Sequence, residues 1–380
     1  MTIPATSPTA SDDQRVLVTG GGGFIGRHVV EALLAGGHRV RVLDSFRADV
    51  HGARPDVAGL VAAWGEGPDG HAGPVDVRVG DVTRADDVDA ALDGCDTVIN
   101  LAAKVGLGVD FDDTDDYVHS NCTGTAVLLR SAARRGLTRV VVASSMVVYG
   151  EGDYLDSSGA LTRPSPRRTA DLEAGRFDPT GPDGGPLLPT LVGEDSLIDP
   201  RNVYAATKLH QEHLTGIWAH STGGRAAMMR FHNVYGPHMP MNTPYAGVAS
   251  IFRSALERGE APRVFEDGGQ RRDLVHVRDV AAAVVAALVW TGGQEPGTAR
   301  AFNVGSGVVH TIGDLASALS RAASGPAPVV TGDYRLGDVR HITASSDRAA
   351  RELGWRATIG FEEGVAEFAT APLRAPVPLD

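Results

Sequence analysis

Val16-Leu17-Val18-Thr19-Gly20-Gly21-Gly22-Gly23-Phe24-Ile25-Gly26 is a short apolar run that leads into a glycine-rich turn, and an amphipathic segment follows it. This order predicts a β-strand, a phosphate-binding loop and an α-helix. Gly20, Gly23 and Gly26 would let the backbone turn tightly, approach a pyrophosphate and pack the helix against the strand. The helix N-terminus would then face the phosphates, which its free N–H groups and its dipole favour.

An acidic residue follows at the distance that this motif requires. Asp44 lies eighteen residues after Gly26 and follows a second predicted strand, residues 39–43. A carboxylate there can accept hydrogen bonds from the ribose of an adenosine, whereas it would repel a ribose 2′-phosphate. The strand, the glycines, the helix and the acid agree, so the sequence predicts a dinucleotide-binding unit that takes NAD rather than NADP.

Strand and helix patterns alternate up to residue 150. Further strands are predicted at 75–79, 97–100 and 139–143, and helices at 86–92 and 117–135. Such alternation predicts an α/β fold, in which a Rossmann-type, doubly wound parallel sheet carries helices on both faces. Ligands of such sheets bind outside the carboxyl ends of the strands, so the functional site is expected there.

Domain boundaries are predicted where this rhythm stops. Residues 1–13 are rich in Thr, Ser and Pro, which predicts a disordered tail rather than a signal peptide. Residues 14–233 form the predicted NAD-binding domain, and 234–380 are mainly a smaller, interleaved substrate-binding lobe with some segments that return to the sheet. Residues 151–200 have many Gly, Pro, Ser and Asp residues and little apolar periodicity, so we expect an insertion that is a lid or is partly disordered.

Composition restricts the class of protein. The formal net charge of -12 over 380 residues, without a Lys/Arg-rich run, argues against nucleic-acid binding. The two cysteines, Cys95 and Cys122, have no metal-ligand spacing, so we expect neither a disulfide framework nor a metal site. No apolar stretch approaches the roughly 20 residues of a membrane span. The simplest interpretation is a cytoplasmic protein with no nucleic-acid or membrane partner.

A helix predicted to begin near Asn202 carries a pair of residues suited to proton transfer. Tyr204 and Lys208 lie one helical turn apart on the same face. An ammonium beside a phenol favours the phenolate, and so lowers a pKa that is ordinarily near 10. Ser145 lies just beyond the carboxyl end of the strand predicted at 139–143, so all three side chains are expected at the carboxyl edge of the sheet.

Several further motifs carry a resemblance to a known family. They are Gly80-Asp81-Val82, Leu101-Ala102-Ala103, Ser144-Ser145-Met146, Arg230-Phe231-His232-Asn233 and two arginine-bearing segments around Arg272 and Arg340. Together with the glycine loop and the Tyr/Lys pair, they make the chain similar to the extended short-chain dehydrogenases/reductases. Within that family the chain resembles the nucleotide-sugar epimerases and dehydratases, from about residue 15 to the last helix.

The resemblance implies a role for each of these residues. It implies that the catalytic residues are Ser145, Tyr204 and Lys208. It implies that NAD is bound by Gly20, Gly23, Phe24, Ile25, Gly26, Asp44, Asp81, Val82, Leu101, Ala102, Ala103, Asn121, Tyr204, Lys208 and Phe231. It implies that a nucleotide-sugar substrate is bound by Ser145, Met146, Asn233, Asn242, Phe265, Arg272 and Arg340. It also implies a homodimer that forms through the helices at 117–135 and 203–219.

Within this group, the chain is most similar to the bacterial dTDP-L-rhamnose 4-epimerases, for instance in Phe265-Glu266-Asp267-Gly268 and Gly337-Asp338-Val339-Arg340-His341. Two departures stand out. Those relatives carry a cysteine-rich insertion, whereas 151–200 contains no cysteine, and His232 replaces a usual aromatic or apolar residue. The resemblance therefore implies a metal-free, NAD-dependent 4-epimerase of a nucleotide-linked hexose or deoxyhexose, with a dTDP-sugar as the expected substrate.

Other reactions could use the same catalytic residues. A nucleotide-sugar 4-ketoreductase stays open, because it differs only in consuming reduced cofactor. A 4,6-dehydratase is disfavoured, because Met146 and Val147 stand where dehydratases carry Asp-Glu, and neither side chain can exchange a proton. A non-enzymatic scaffold is expected to lack part of the catalytic set, which is complete here.

Overall fold

The computed structural model describes residues 14–51, 57–65, 75–106, 111–241 and 247–374. Up to residue 145, its strands and helices alternate as the sequence predicts. In chain order they are β1 (Arg15–Thr19), α1 (Phe24–Ala35), β2 (Arg39–Asp44), α2 (Ala48–His51), α3 (Val57–Gly65), β3 (Val75–Val79), α4 (Ala85–Leu92), β4 (Thr97–Asn100), α5 (Thr114–Tyr117), α6 (Gly124–Arg134) and β5 (Arg139–Ser145). A π-helical turn, Val118–Thr123, joins α5 to α6.

The rest of the chain adds short strands and five longer helices. In chain order the elements are β6 (Tyr154–Leu155), β7 (Leu161–Thr162), α7 (Thr169–Glu173), β8 (Leu188–Pro189), α8 (Val203–Thr222), β9 (Arg225–Phe231), β10 (Asn233–Tyr235), α9 (Val248–Glu257), β11 (Arg263–Val264), β12 (Arg271–His276), α10 (Val277–Gly292), β13 (Ala299–Val304), β14 (Val309–Thr311), α11 (Ile312–Ala322), β15 (Val329–Val330), β16 (His341–Ile342) and α12 (Phe361–Thr370).

Seven parallel strands form the main sheet, in the order β13-β9-β5-β4-β1-β2-β3. The chain winds outwards from β1 through β2 to β3, and then returns to place β4 on the other side of β1. In this register Val16 lies opposite both Val40 and Thr97. The reversal confirms the predicted doubly wound, Rossmann-type α/β fold, and it opens a crevice at the carboxyl ends of β1 and β4.

Alternating side chains of the strands build two apolar layers. Val16 and Val18 of β1 face α1 and α10, whereas Leu17 between them faces α4, α6 and α8. All three of these side chains have no exposed surface. Because both faces of the sheet are covered, its strands are nearly continuous apolar runs, as expected for a parallel sheet.

The C-terminal lobe is built around a second, smaller sheet. Strands β10, β12 and β14 pair in that order, and β16 also pairs with β12. Helices α9, α11 and α12 pack beside them around Phe252, Leu315 and Phe368. A capping box formed by Thr311 and Asp314 begins α11. Strand β13 belongs to the main sheet, so the lobe and the sheet are interleaved in sequence.

The insertion at 151–200 has a fold of its own, which differs from the expected partial disorder. Strands β7, β6 and β8 form a small antiparallel sheet. Tyr154 is fully buried and donates a hydrogen bond to Glu151 at 2.7 Å. Val192 forms an isolated bridge with Ala344, and Arg167 forms a 2.7 Å ion pair with Glu266. These contacts with the C-terminal lobe supply the burial that the insertion's composition does not suggest.

No helix among the described residues combines the length and the apolarity that crossing a membrane requires.

Candidate functional site

A cavity of about 450 Å³ lies at the carboxyl ends of the main strands, within the size range usual for small-molecule sites. Each central strand contributes at least one residue to its wall. In order across the sheet these include His232 after β9, Ser145 of β5, Leu101 after β4, Gly20 after β1, Asp44 of β2 and Asp81 after β3. The sequence placed the site at this edge, and the structure confirms that the strands converge there.

Glycine is required at two positions of the loop between β1 and α1. Gly20 has φ of 70°, and a Cβ there would lie 2.8 Å from the backbone nitrogen of Ala102. A Cβ on Gly26 would lie 2.1 Å from the carbonyl oxygen of Gly20. Gly23 precedes α1 without a side-chain cap, so N–H groups of the first turn are available to an anionic ligand.

Asp44 ends β2 beside this loop. Its Oδ2 accepts a 2.9 Å hydrogen bond from the N–H of Gly22, and its Oδ1 accepts one of 2.9 Å from the N–H of Phe46. The carboxylate is therefore held rigidly against the glycine loop. Each oxygen keeps capacity for a further hydrogen bond, so a ribose hydroxyl can bind as the sequence predicts.

Three side chains suited to proton transfer meet in the cavity wall. Ser145 ends β5, whereas Tyr204 and Lys208 lie one turn apart on α8, which Asn202 caps through the N–H of Ala205. Lys208 donates a 2.9 Å hydrogen bond from Nζ to the carbonyl of Ala143, and its Nζ lies 5.8 Å from the ring centroid of Tyr204. All three predicted catalytic side chains therefore line one cavity.

Burial dominates the ionisation of this pair. It raises the pKa of Tyr204, and hydrogen bonding with Ser145 opposes the rise. It also lowers the pKa of Lys208 to about 7, and the negative charge of Glu212 opposes that fall. In the absence of a ligand, Tyr204 is therefore a neutral phenol. A positive charge placed beside it would be needed to make it an effective base.

Glu212 lies one turn beyond Lys208 on α8, and no role was predicted for it. Its carboxylate accepts a 2.5 Å hydrogen bond from Ser144, and it accepts two from Arg230, at 2.9 and 2.7 Å. Arg230 also donates to the hydroxyl of Tyr149 at 2.9 Å. This buried network fixes α8 against β5 and β9. The signal in the sequence is the repeat of Tyr204, Lys208 and Glu212 at four-residue spacing on one helix face.

Comparisons with known proteins agree with this geometry. The model of the "NAD dependent epimerase/dehydratase family" matches residues 16–171 and 179–305. The chain belongs to this family. A dTDP-L-rhamnose 4-epimerase of Burkholderia thailandensis is 33% identical over 366 residues, which cover 94% of this chain and 95% of that protein. A UDP-glucose 4-epimerase of Mycolicibacterium smegmatis is 30% identical over 360 residues, 93% of this chain and 96% of that protein.

A solved structure shows that the likeness of this chain to the family extends to the fold. The UDP-glucose 4-epimerase of Thermus thermophilus, a complex with NAD, superimposes with a TM-score of 0.69 at 28% identity and covers 94% of this chain and 98% of that one. The chain is thus an NAD-dependent isomerase of the epimerase family, and its fold class and cofactor are confirmed.

The residues that line the cavity of this chain fit NAD. The bare glycine backbone leaves room that a Cβ would fill, and the first turn of α1 supplies N–H groups. The remaining cofactor residues implied by the resemblance, apart from Asn121, also line the cavity, namely Phe24, Ile25, Asp81, Val82, Leu101, Ala102, Ala103 and Phe231. In addition, Asn233 has a buried Oδ1 without a hydrogen-bond partner among the described residues. A bound ligand can satisfy such a group.

Asn121 lies behind the cavity wall instead of in it. Its Nδ2 donates to the hydroxyl of Thr207 at 2.9 Å and to the carbonyl of Lys104 at 3.0 Å, and its Oδ1 accepts from the N–H of Lys104 at 2.8 Å. These bonds tie the loop after β4 to α8. Asn121 therefore positions the loop and the helix, and its amide is fully used within the protein.

Four substrate residues implied by the resemblance lie away from this cavity. Met146 packs against the apolar cluster around Val148, and the ring of Phe265 lies 5.4 Å from the guanidinium of Arg335. Arg272 donates to three backbone carbonyls, those of residues 271, 339 and 340. Arg340 is the fourth of these residues. Asn242 lies outside the described residues. Of the proposed substrate residues, Ser145 and Asn233 line the cavity.

Arg340 is surrounded by carboxylates. It donates to Asp178 at 2.7 Å, to Glu266 at 2.8 Å, and to Asp267 at 2.8 and 2.9 Å. Asp178 belongs to the insertion, and the other two precede β12. Four of the five N–H donors of this guanidinium, which the resemblance assigns to the substrate, are therefore used by acidic side chains in this conformation.

Proposed function

We propose that this enzyme is a 4-epimerase of a nucleotide-linked hexose or deoxyhexose, that its substrate is a dTDP-sugar, and that the reaction passes through a 4-keto sugar. One observation carries the proposal: Ser145, Tyr204 and Lys208 converge at the cavity that also contains the glycine loop and Asp44. The similarity to a dTDP-L-rhamnose 4-epimerase supports the choice of sugar nucleotide.

The mechanism assigns one task to each residue. Tyr204 accepts the proton of the C4 hydroxyl, and after the 4-keto sugar has turned over it returns a proton to the C4 oxygen, which becomes the new hydroxyl. Lys208 stabilises the phenolate by its charge. Ser145 donates a hydrogen bond to the C4 oxygen as a carbonyl forms. When NAD is bound, it supplies the capacity to accept a hydride and to give it back.

Dehydration is not expected at this site. The 3-10 turn that follows Ser145 begins with Met146 and Val147. Neither side chain can donate or accept the protons that loss of water from C5 and C6 requires. The site therefore has groups for oxidation and reduction at C4, and none beside Ser145 for elimination.

The test uses dTDP-L-rhamnose deuterated at C4, without added reductant, and NMR to follow C4. A 4-epimerase gives the C4 epimer with deuterium retained, since the same hydride returns to carbon. Tyr204→Phe should bind NAD and lose turnover by about 10²–10⁴-fold. UDP-glucose is assayed in the same way as the alternative substrate. An inert dTDP-sugar, combined with stoichiometric oxidation of NADH by a 4-keto sugar, would instead identify a 4-ketoreductase.

Substrate binding also suggests a role for the insertion. We propose that 151–200 is a lid, that Asn233 and the segment containing Asn242 bind substrate, and that Phe265, Arg272 and Arg340 bind the nucleotide end once Asp178 has moved. Asp178→Asn should then increase the affinity for dTDP several-fold, because it removes a competing anion. Asp183→Asn, a change at an exposed carboxylate of the same insertion, is the control. Unchanged or weaker dTDP binding by Asp178→Asn would contradict the lid.

We further propose a homodimer that forms through α6 and α8. Exposed residues on α8 recur along one face, namely Ala206, His210, His213, Ile217 and His220. Ile217 is the large aliphatic residue of this face and is 60% exposed, so the dimer would cover it. Ile217→Glu should halve the mass measured by light scattering, whereas Val289→Glu, at an exposed site on α10, should not. A monomeric wild-type chain would refute the dimer.

A further inference from the structure

The C-terminal segment places one arginine in the wall of the NAD cavity. After α12, the N–H of Arg374 donates to the carbonyl of Met239 at 3.0 Å, and the N–H of Met241 donates to the carbonyl of Arg374 at 2.9 Å. Pro240 and Arg374 thus form an isolated parallel bridge. Met239, Pro240 and Arg374 all line the cavity. The chain is therefore pinned at this point by backbone bonds, and the side chain points inwards.

Two of the three guanidinium nitrogens of Arg374 lack hydrogen-bond partners among the described residues. These two, Nε and Nη1, are out of contact with solvent. Burial lowers the pKa of Arg374, and the carboxylate of Asp44 opposes that fall. An arginine does not lose its proton in a protein, so a buried positive charge with free donors remains. Such a group is costly unless an anion binds it.

The surroundings identify which anion would reach it. Leu373 and Phe24, the first residue of α1, pack against the same apolar cluster as Met239. Arg374 therefore approaches the cavity from the side of the α1 N-terminus. That end of a helix attracts phosphate, and the dipole adds to the charge of an arginine. Asp44 also lines the cavity and interacts with the guanidinium through its charge, and it would repel a further phosphate on the ribose.

We propose that Arg374 binds the pyrophosphate of NAD. An arginine suits this role because its planar fork can donate two parallel hydrogen bonds to phosphate oxygens. The role depends on NAD binding and not on the identity of the sugar. Its failure would therefore leave the proposed epimerase reaction untouched.

The experiment compares Arg374→Gln, Arg374→Lys and wild type as cofactor-free, full-length protein. Calorimetry measures binding of NAD, of ADP-ribose, which keeps the pyrophosphate, and of adenosine, which lacks it. Arg374→Gln should weaken NAD and ADP-ribose by roughly 10- to 100-fold, the range of a hydrogen bond to a charged group. Adenosine binding should not change, and Arg374→Lys should restore part of the loss. Arg356→Gln, at an exposed arginine outside the cavity, is the matched control.

A second measurement separates binding from a structural role. Because Nε and Nη1 of Arg374 have no hydrogen-bond partner among the described residues, Arg374→Gln should leave the melting temperature of the cofactor-free protein unchanged or raise it. The same variant should show a smaller increase in melting temperature when NAD is added. A less stable cofactor-free variant with adenosine binding equally weakened would overturn the proposal. So would unchanged NAD affinity together with weaker dTDP binding, which would assign Arg374 to the substrate.

Discussion

Replacement of Glu212 by glutamine tests whether the buried ion pair under the catalytic helix stabilises the fold. The side chains of Glu212 and Arg230 are 6% and 7% exposed, and two hydrogen bonds join them. Glutamine keeps the volume but removes the charge. Arg230 is then left as a buried cation whose nearest carboxylate is gone. Removal of one partner from a buried pair costs about 3–5 kcal/mol of stability. The amide of the new glutamine still accepts one hydrogen bond from Arg230, so the expected loss in the free energy of unfolding is about 3 kcal/mol.

The assay is urea denaturation of the cofactor-free protein, with Glu260→Gln as the matched control. Glu260 pairs with Arg258 at 2.7 Å, but the two side chains are 58% and 48% exposed. Such a surface pair contributes about 0–1 kcal/mol, so the control should lose little. Glu212→Gln combined with Arg230→Met should be more stable than the sum of the two single changes predicts, because the two sites interact directly.

Catalysis provides an independent reading of the same change. Burial lowers the pKa of Lys208 to about 7, and Glu212 opposes this. Loss of the carboxylate should therefore lower the pKa of Lys208 further, and the alkaline limb of the rate profile should move to lower pH. If Glu212→Gln loses no more stability than Glu260→Gln and leaves the pH profile unmoved, the reasoning about this pair is wrong.

Three further outcomes are expected. Gly26→Ala should abolish NAD binding, because its Cβ would lie 2.1 Å from the carbonyl oxygen of Gly20. Gly216→Ala on α8, where a Cβ would meet nothing closer than 4.0 Å, should bind NAD normally. Equal NAD titrations of the two variants would contradict this. The cofactor-free protein should gain stability as the pH rises from about 7 towards 10, because Lys208 titrates near 10.4 when unfolded and binds fewer protons when folded. This gain should vanish in Lys208→Met. If denaturation curves of Lys208→Met still show the gain, Lys208 is excluded as its cause. Asp44→Asn should narrow the preference for NAD over NADP in direct titration, since the repulsion of a 2′-phosphate is removed, and an unaltered ratio would argue against that role.

The parts of this protein that could be predicted from sequence are those determined over short distances. The strand, loop and helix around Gly20 follow from apolar periodicity and from backbone conformations that glycine alone adopts easily. The strands predicted at 75–79 and 97–100 match β3 and β4 residue for residue. Tyr204 and Lys208 share a face because helix geometry places residues four apart together.

The parts that could not be predicted depend on contacts between residues far apart in the chain. Asp178 lies 162 residues from its partner Arg340. Arg374 reaches the cavity only because backbone bonds to Met239 and Met241 hold it there. The insertion acquires order from the C-terminal lobe and not from its own composition. No local pattern encodes such pairings, so the expectation for 151–200 rested on composition, and the expectations for the substrate arginines rested on resemblance.

The distribution of charge around Arg340 shows how a diphosphate could still enter. Its three carboxylate partners differ in burial: the side chain of Glu266 is 3% exposed, whereas those of Asp267 and Asp178 are 53% and 69% exposed. Arg340 itself is 2% exposed, but the two exposed carboxylates can be hydrated when they leave it, whereas an isolated buried carboxylate is far more costly. Asp178 and Asp267 can therefore give way to phosphate oxygens, and Glu266 would stay, held also by Arg167. Since Asp178 is part of the insertion, exchange of its carboxylate for a diphosphate would couple binding at the C-terminal lobe to movement of the segment that joins Ser145 to Tyr204.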